Sequence, residues 1–307
     1  MPGDQLPLNT PTRKTAADFH PEVLKLFDQY VHGAISRRGF LAGATKYAVG
    51  GVSATMLLEM LNPNFVSAQQ IRSDDPRIFA KYVEYASVDG SGKVKGYLAM
   101  PARVSATLPA VLVVHENRGL NPHIEDIARR LAVDKFIAFA PDALTPLGGY
   151  PGDEDKAREA FTKLDQTKAR ADFVAAYGFM QTMKDVGGKI GVVGFCYGGS
   201  MANYLATQLP DLAACVPFYG SAAKTEDVPK IKSPLLIHYA SNDERINAGW
   251  PAYETALKAA GVKYEAFIYP NTQHGFNNDT TPRYDAAAAK LAWDRTIAFC
   301  NKNLRGK

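Results

Sequence analysis

The sequence predicts an α/β fold: an open, mostly parallel sheet with helices on both faces, preceded by an N-terminal helical or signal extension. Three observations lead there. Beyond residue 77, short strand-like runs alternate with amphipathic helical stretches, the pattern of repeated βα units. The run Ala110-Val111-Leu112-Val113-Val114-His115 is almost entirely apolar, as suits a strand buried on both faces of a parallel sheet. Three residues with reactive chemistry, Cys196, Asp243 and His274, each follow a strand-like run, where open parallel sheets gather their sites.

Composition sets the outer bounds. The 307 residues are 46% hydrophobic and 21% charged, ordinary for a globular core. A net charge of +4 with no basic run interleaved with aromatics argues against a nucleic-acid partner. Nothing after residue 70 is long and apolar enough to form a membrane helix. Two regions are expected, an extension over 1–68 and an α/β domain over 69–307.

The extension is polar and mixed over 1–35, with a short helix expected at 21–32. Ser36-Arg37-Arg38-Gly39-Phe40-Leu41 follows, a twin-arginine export pattern. A moderately apolar stretch runs from Ala44 to Leu61, and Val66-Ser67-Ala68-Gln69 offers a small-x-small cleavage site. The expectation is Tat export to the periplasm, with a mature chain beginning near Gln69. The alternative is an ordered helical extension retained on a cytoplasmic protein, which the depth of the arginines and the charges Lys46 and Glu59 favour. His20 and His32 read as surface residues.

The domain elements follow in order. Residues 79–88 and 94–100 alternate and flank Asp89-Gly90-Ser91-Gly92, a β-hairpin signal. After the 110–115 strand, Ile127, Ala128 and Leu131 mark one face of a helix at 124–133, and a strand at 136–140 stops at Pro141-Asp142. Residues 153–184 read as helical with a charged face. Strands are expected at 189–193, 213–218, 235–239 and 264–269, and helices from Gly198 onward and at 250–260 and 284–303.

The strand at 189–193 runs into Gly194-Phe195-Cys196-Tyr197-Gly198-Gly199. A nucleophile needs this arrangement, because it must project from a tight strand-to-helix turn that glycines permit. The helix N-terminus then favours a thiolate. Asp243 and His274 follow in strand-end loops, in the order nucleophile, acid, base. Glu244 is the rival acid, one residue farther from its strand. The loop His115-Glu116-Asn117-Arg118-Gly119 follows the first parallel strand, so the N–H groups of Tyr197 and Asn117 are the expected oxyanion donors. Cys215 and Cys300 read as small buried hydrophobes and His238 as a core histidine; His123 is either a helix-start residue or a lining residue. No CxxC pair and no HExxH spacing occurs, so neither a metal nor an organic cofactor is expected.

Over roughly 77–304 these elements resemble the dienelactone hydrolase (carboxymethylenebutenolidase) family of α/β-hydrolases. The resemblance rests on Glu116, Pro141-Asp142, Gly194-Phe195-Cys196-Tyr197-Gly198-Gly199, Asp243 and His274-Gly275-Phe276. The extension and the His-Glu-Asn-Arg-Gly loop resemble an exported bacterial branch. It implies a hydrolase that opens small ester or lactone substrates through Cys196, with Glu116 hydrogen-bonding the resting thiol. It also implies arginines that hold a substrate carboxylate. Arg158 matches one by local pattern and Arg118 is a candidate for another. The chain departs from the family at Asn278, where an arginine is expected, and at Thr162, where an aromatic is. The alternatives are a general carboxylesterase or thioesterase, or a non-catalytic thiol-sensing or binding protein on the same fold.

Overall fold

The computed structural model describes residues 13–305. The extension folds as four helices: α1 (Pro21–Val31), α2 (Arg37–Ala44), α3 (Ala54–Leu61) and α4 (Phe65–Ala68). Val23, Leu24, Phe27 and Tyr30 lie on one face of α1 at helical spacing and are buried against Phe40, Leu57, Leu58 and Leu61. This core is separate from those of the sheet. The twin-arginine segment forms the start of α2. Ser36 caps it by accepting from the Gly39 N–H, and Phe40 is fully buried.

The sheet has eight strands: β1 (Ile78–Ser87), β2 (Gly92–Pro101), β3 (Leu108–Val114), β4 (Ile137–Pro141), β5 (Val186–Phe195), β6 (Ala214–Phe218), β7 (Leu235–Asn242) and β8 (Tyr264–Gln273). Their order is β1-β2-β4-β3-β5-β6-β7-β8. β1 and β2 form the expected hairpin, β2 pairs antiparallel with β4, and all remaining pairs are parallel.

Seven helices complete the domain: α5 (Pro122–Val133), α6 (Glu154–Thr162), α7 (Gln166–Gln181), α8 (Tyr197–Gln208), α9 (Glu244–Asn247), α10 (Trp250–Ala259) and α11 (Ala286–Leu304). The strand period of two divides β3 between two cores. Ala110, Leu112 and Val114 pack with α7, α8 and α10, while Val111 and Val113 pack with α5 and α11. Among the described residues no helix is long and apolar enough to cross a membrane.

Several boundaries differ from the sequence reading. The helix expected over 153–184 is two helices, because the Asp165 side chain accepts from the Thr167 and Lys168 N–H groups and so starts α7 afresh. β5 and β8 run longer than their apolar runs, since strand pairing continues past the hydrophobic residues.

The separate core of the extension makes a prediction. Phe40→Ala removes a fully buried ring, at a cost of about 3–5 kcal/mol. Limited proteolysis should then cut within 36–62 while the sheet domain stays resistant. Equal resistance in the variant and the parent would show that the helices are not held by that core.

Candidate active site

Cys196 sits between β5 and α8 with φ 54° and ψ −108°, a backbone conformation that L-residues rarely adopt. Its N–H donates to the Phe218 carbonyl at 3.0 Å, and its carbonyl accepts from the Ser200 N–H at 3.1 Å. The flanking glycines are required by contact. A Cβ at Gly194 would lie 1.9 Å from the Gly198 oxygen, and one at Gly198 would lie 2.1 Å from the Val114 oxygen. Tyr197 opens α8, so its N–H has no partner within the helix.

Asp243 and His274 come from the ends of β7 and β8. His274 Nδ1 lies 2.5 Å from Asp243 Oδ2, both residues being buried. The sulfur of Cys196 and one ring nitrogen each of His274 and His32 lie within 4.8 Å of one another. Burial would push the Cys196 thiol up, but the positive His274 ring outweighs it and holds the thiol at about 6. Burial would likewise pull the His274 ring down; the Cys196 thiolate and Asp243 reverse this and hold it up at about 10. Burial with no such neighbour pushes the Cys300 thiol up to about 12 and Cys215 higher still. The shifts run in the directions that favour a thiolate beside a protonated imidazole, with the Asp243 carboxylate placed to orient the ring. Such a set supports nucleophilic attack on a carbonyl.

His32 is not a surface residue. It caps the C-terminal end of α1, which lies across the site. Its Nε2 stands 3.4 Å from Cys196 Sγ and its ring packs edge-on to His274. Asp28, one turn earlier, lies 3.2 Å from His32 Nδ1 and pairs with Arg283 at 3.3 Å. Arg245, beside Asp243 in the chain, reaches His32 Nε2 at 3.1 Å. Sequence reasoning missed this group, although the i, i+4 spacing of Asp28 and His32 on one amphipathic helix was its visible signal. Tyr219 was also missed. It follows β6 with φ 36°, fully buried with its ring against His274.

The other expected residues are placed as follows. Glu116 accepts from Asn278 Nδ2 at 2.8 Å, so the thiol's partner here is His32 and Glu116 is engaged with the residue standing at the family's arginine position. The Asn117 side chain donates to the Val31 carbonyl at 2.8 Å. Arg118 is buried, donates to the same carbonyl at 3.3 Å and lies 3.6 Å from Glu154. Arg158 lies over the Tyr30 ring, and Tyr30 itself donates to Asp155. Thr162 bonds its own helix at Glu159. Glu244 is exposed at the start of α9. His123 is buried in the first turn of α5 against Asp279, and His238 is a core histidine bonded to Tyr269 and Thr296. His20 is exposed and caps α1. Cys215 and Cys300 are buried.

The extension thus closes over Cys196, which is 9% exposed. A small cavity of about 30 Å³, room for two or three waters, lies between α1 and the Glu116–Asn121 loop. The Val31 carbonyl, which accepts from both Asn117 and Arg118, is one of the contacts that hold this cover. Hydrogen bonds from a charged donor are worth about 1.5–3 kcal/mol, so Arg118→Ala should speed alkylation of Cys196 by iodoacetamide roughly tenfold or more. Unchanged alkylation kinetics would show that the cover is held elsewhere.

The comparisons with known proteins bear on the family and the fold. The profile of the dienelactone hydrolase family matches residues 94–304, and that of a family described as YqhI-like matches residues 11–49 of the extension. The chain is 52% identical over 116 residues to "Putative hydrolase fragment YghX" of Escherichia coli K12, which spans 38% of this chain and 99% of that protein. It is 32% identical over 233 residues to an E. coli K12 "Putative carboxymethylenebutenolidase", covering 70% of this chain and 85% of that one. A crystal structure named for a "Putative Dienelactone Hydrolase" of Klebsiella pneumoniae superposes with a TM-score of 0.63 at 26% identity, over 72% of this chain and 98% of that one. The fold, the order of the reactive residues and these matches together establish that the chain belongs to the dienelactone hydrolase family.

Proposed function

We propose that this hydrolase cleaves small carboxylic esters or lactones by acyl transfer through Cys196. The observation that carries the reading is the nucleophile turn itself, with Asp243 and His274 converging on it from successive strand ends. The thiolate attacks the carbonyl carbon. The Tyr197 and Asn117 N–H groups stabilise the oxyanion, each contributing about 3 kcal/mol by analogy with other oxyanion holes. His274, oriented by Asp243, gives its proton to the leaving alcohol and then takes one from the water that releases the acyl group. Substrate reaches the thiol when α1 lifts from the site.

Asn278 replaces the cation expected to hold a substrate carboxylate, and Arg118 and Arg158 are both taken up beneath the extension. These placements favour small uncharged esters as the second reading. Kinetics on a matched lactone and linear ester, each with and without a carboxylate, separate the two.

For the chemistry, Cys196→Ala should reduce hydrolysis to background, and Asp243→Asn should lower kcat by roughly 10²–10⁴-fold, with unchanged melting curves in both. Parental turnover by folded Cys196→Ala protein would refute the nucleophile.

A further inference from the structure

His274 Nε2 is buried without a hydrogen-bond partner, and it belongs to a group of three donors of which the catalytic triad accounts for two. Three elements bring that group together: Cys196 from the nucleophile turn, His274 from the end of β8 and His32 from the extension. We propose that the docked extension completes a Zn²⁺ site made of Cys196 Sγ, His32 Nε2 and His274 Nε2, and that zinc there holds the cover shut and the hydrolase off.

The donor types come first. One thiolate and two imidazoles are borderline-soft ligands that suit zinc, and three protein ligands leave a fourth position for water. The Cys196–His32 spacing also fits, within a set whose donors all lie inside 4.8 Å of one another. With zinc–sulfur at about 2.3 Å and zinc–nitrogen at about 2.0–2.1 Å, tetrahedral geometry sets sulfur and nitrogen roughly 3.5 Å apart. Cys196 Sγ and His32 Nε2 are 3.4 Å apart.

The surrounding carboxylates point the same way. A zinc-bound histidine usually donates its other ring N–H to a carboxylate or carbonyl, which fixes the tautomer. Both histidines have this partner in place. His274 Nδ1 meets Asp243 Oδ2 at 2.5 Å, and His32 Nδ1 meets the Asp28 carbonyl at 2.8 Å and its Oδ1 at 3.2 Å. A hydrolytic triad needs only the first pair. The second serves a histidine that contributes nothing to the acyl-transfer steps.

Arg245 bears on the charge balance. Its guanidinium can only donate, so at 3.1 Å from His32 Nε2 it requires a lone pair on that nitrogen, the form a metal binds. Arg245 is exposed, so its side chain can turn to solvent when a cation takes its place. Zinc binding displaces the single proton that Cys196 Sγ and His274 Nε2 share and releases it to water, leaving a metal–sulfur and a metal–nitrogen bond in its place. Because His32 belongs to the extension and the other two ligands to the sheet domain, the metal ties cover to site. The switching half of the proposal rests on Cys196 and His274 being the nucleophile and base; the binding half does not.

The test uses the full chain with Co²⁺ and Zn²⁺ as probes. Co²⁺ should bind one equivalent with a sulfur-to-cobalt charge-transfer absorption that Cys196→Ser abolishes, and Zn²⁺ should displace it. His32→Gln, which keeps a polar side chain of similar size, should weaken zinc at least 100-fold. Should that variant fail to fold, Asp28→Asn decides instead, with an expected loss of about 10–100-fold. No stoichiometric binding at micromolar metal, or unchanged affinity in the deciding variant, overturns the site. Zinc should also stop ester hydrolysis reversibly, with a chelator restoring it, and wild-type turnover undiminished at metal saturation overturns the switch. If the untreated protein turns over no ester, the hydrolase reading fails while the metal site stands or falls on absorption alone.

Discussion

The site depends on one backbone constraint, the left-handed turn at Cys196. A non-glycine residue with φ 54° is strained by about 1–3 kcal/mol and persists only where its surroundings fix it. Here the fixing is done by backbone packed on backbone. Gly194 and Gly198 abut each other, Gly198 also abuts the end of β3, and Gly199 lies against the end of β6. The Cys196 N–H is tied to Phe218. The turn therefore couples the three central strands to the start of α8. The sulfur is left projecting toward the strand ends where Asp243 and His274 lie.

Electrostatics completes what the turn begins. Burial in apolar surroundings pushes a thiol up, as at Cys215 and Cys300, and so disfavours the reactive thiolate. Cys196 is equally enclosed but moves the other way, because His274 supplies a positive neighbour and Asp243 stabilises it. The extension adds a further layer. It brings its own histidine–carboxylate pair to the same sulfur and holds it there through the Val31 carbonyl, the Asp28–Arg283 ion pair and the Tyr30–Asp155 contact.

The sheet domain was legible because its signals are local. The hairpin turn, the two-sided apolar strand, the glycine-flanked cysteine and the strand-end positions of Asp243 and His274 are all visible within a few residues. The place of the extension was not, because docking is set by contacts between residues far apart in sequence. His32 reads as a polar residue at a helix end, and only the fold reveals that this end meets Cys196. Glu116 illustrates the same limit. Its position after β3 was foreseen, but its partner is decided by Asn278, brought alongside from the loop after β8. Arg118 and Arg158 read as candidates for a substrate carboxylate, yet both are occupied by α1.

The central claim is that one of three cysteines is the nucleophile, and selective alkylation tests it most directly. Iodoacetamide should be added in steps, with intact mass and peptide mapping followed alongside hydrolysis of an activated ester. The account predicts a single adduct on Cys196, leaving Cys215 and Cys300 unmodified, with activity lost in proportion to labelling. Complete labelling of Cys196 with hydrolysis undiminished would contradict it.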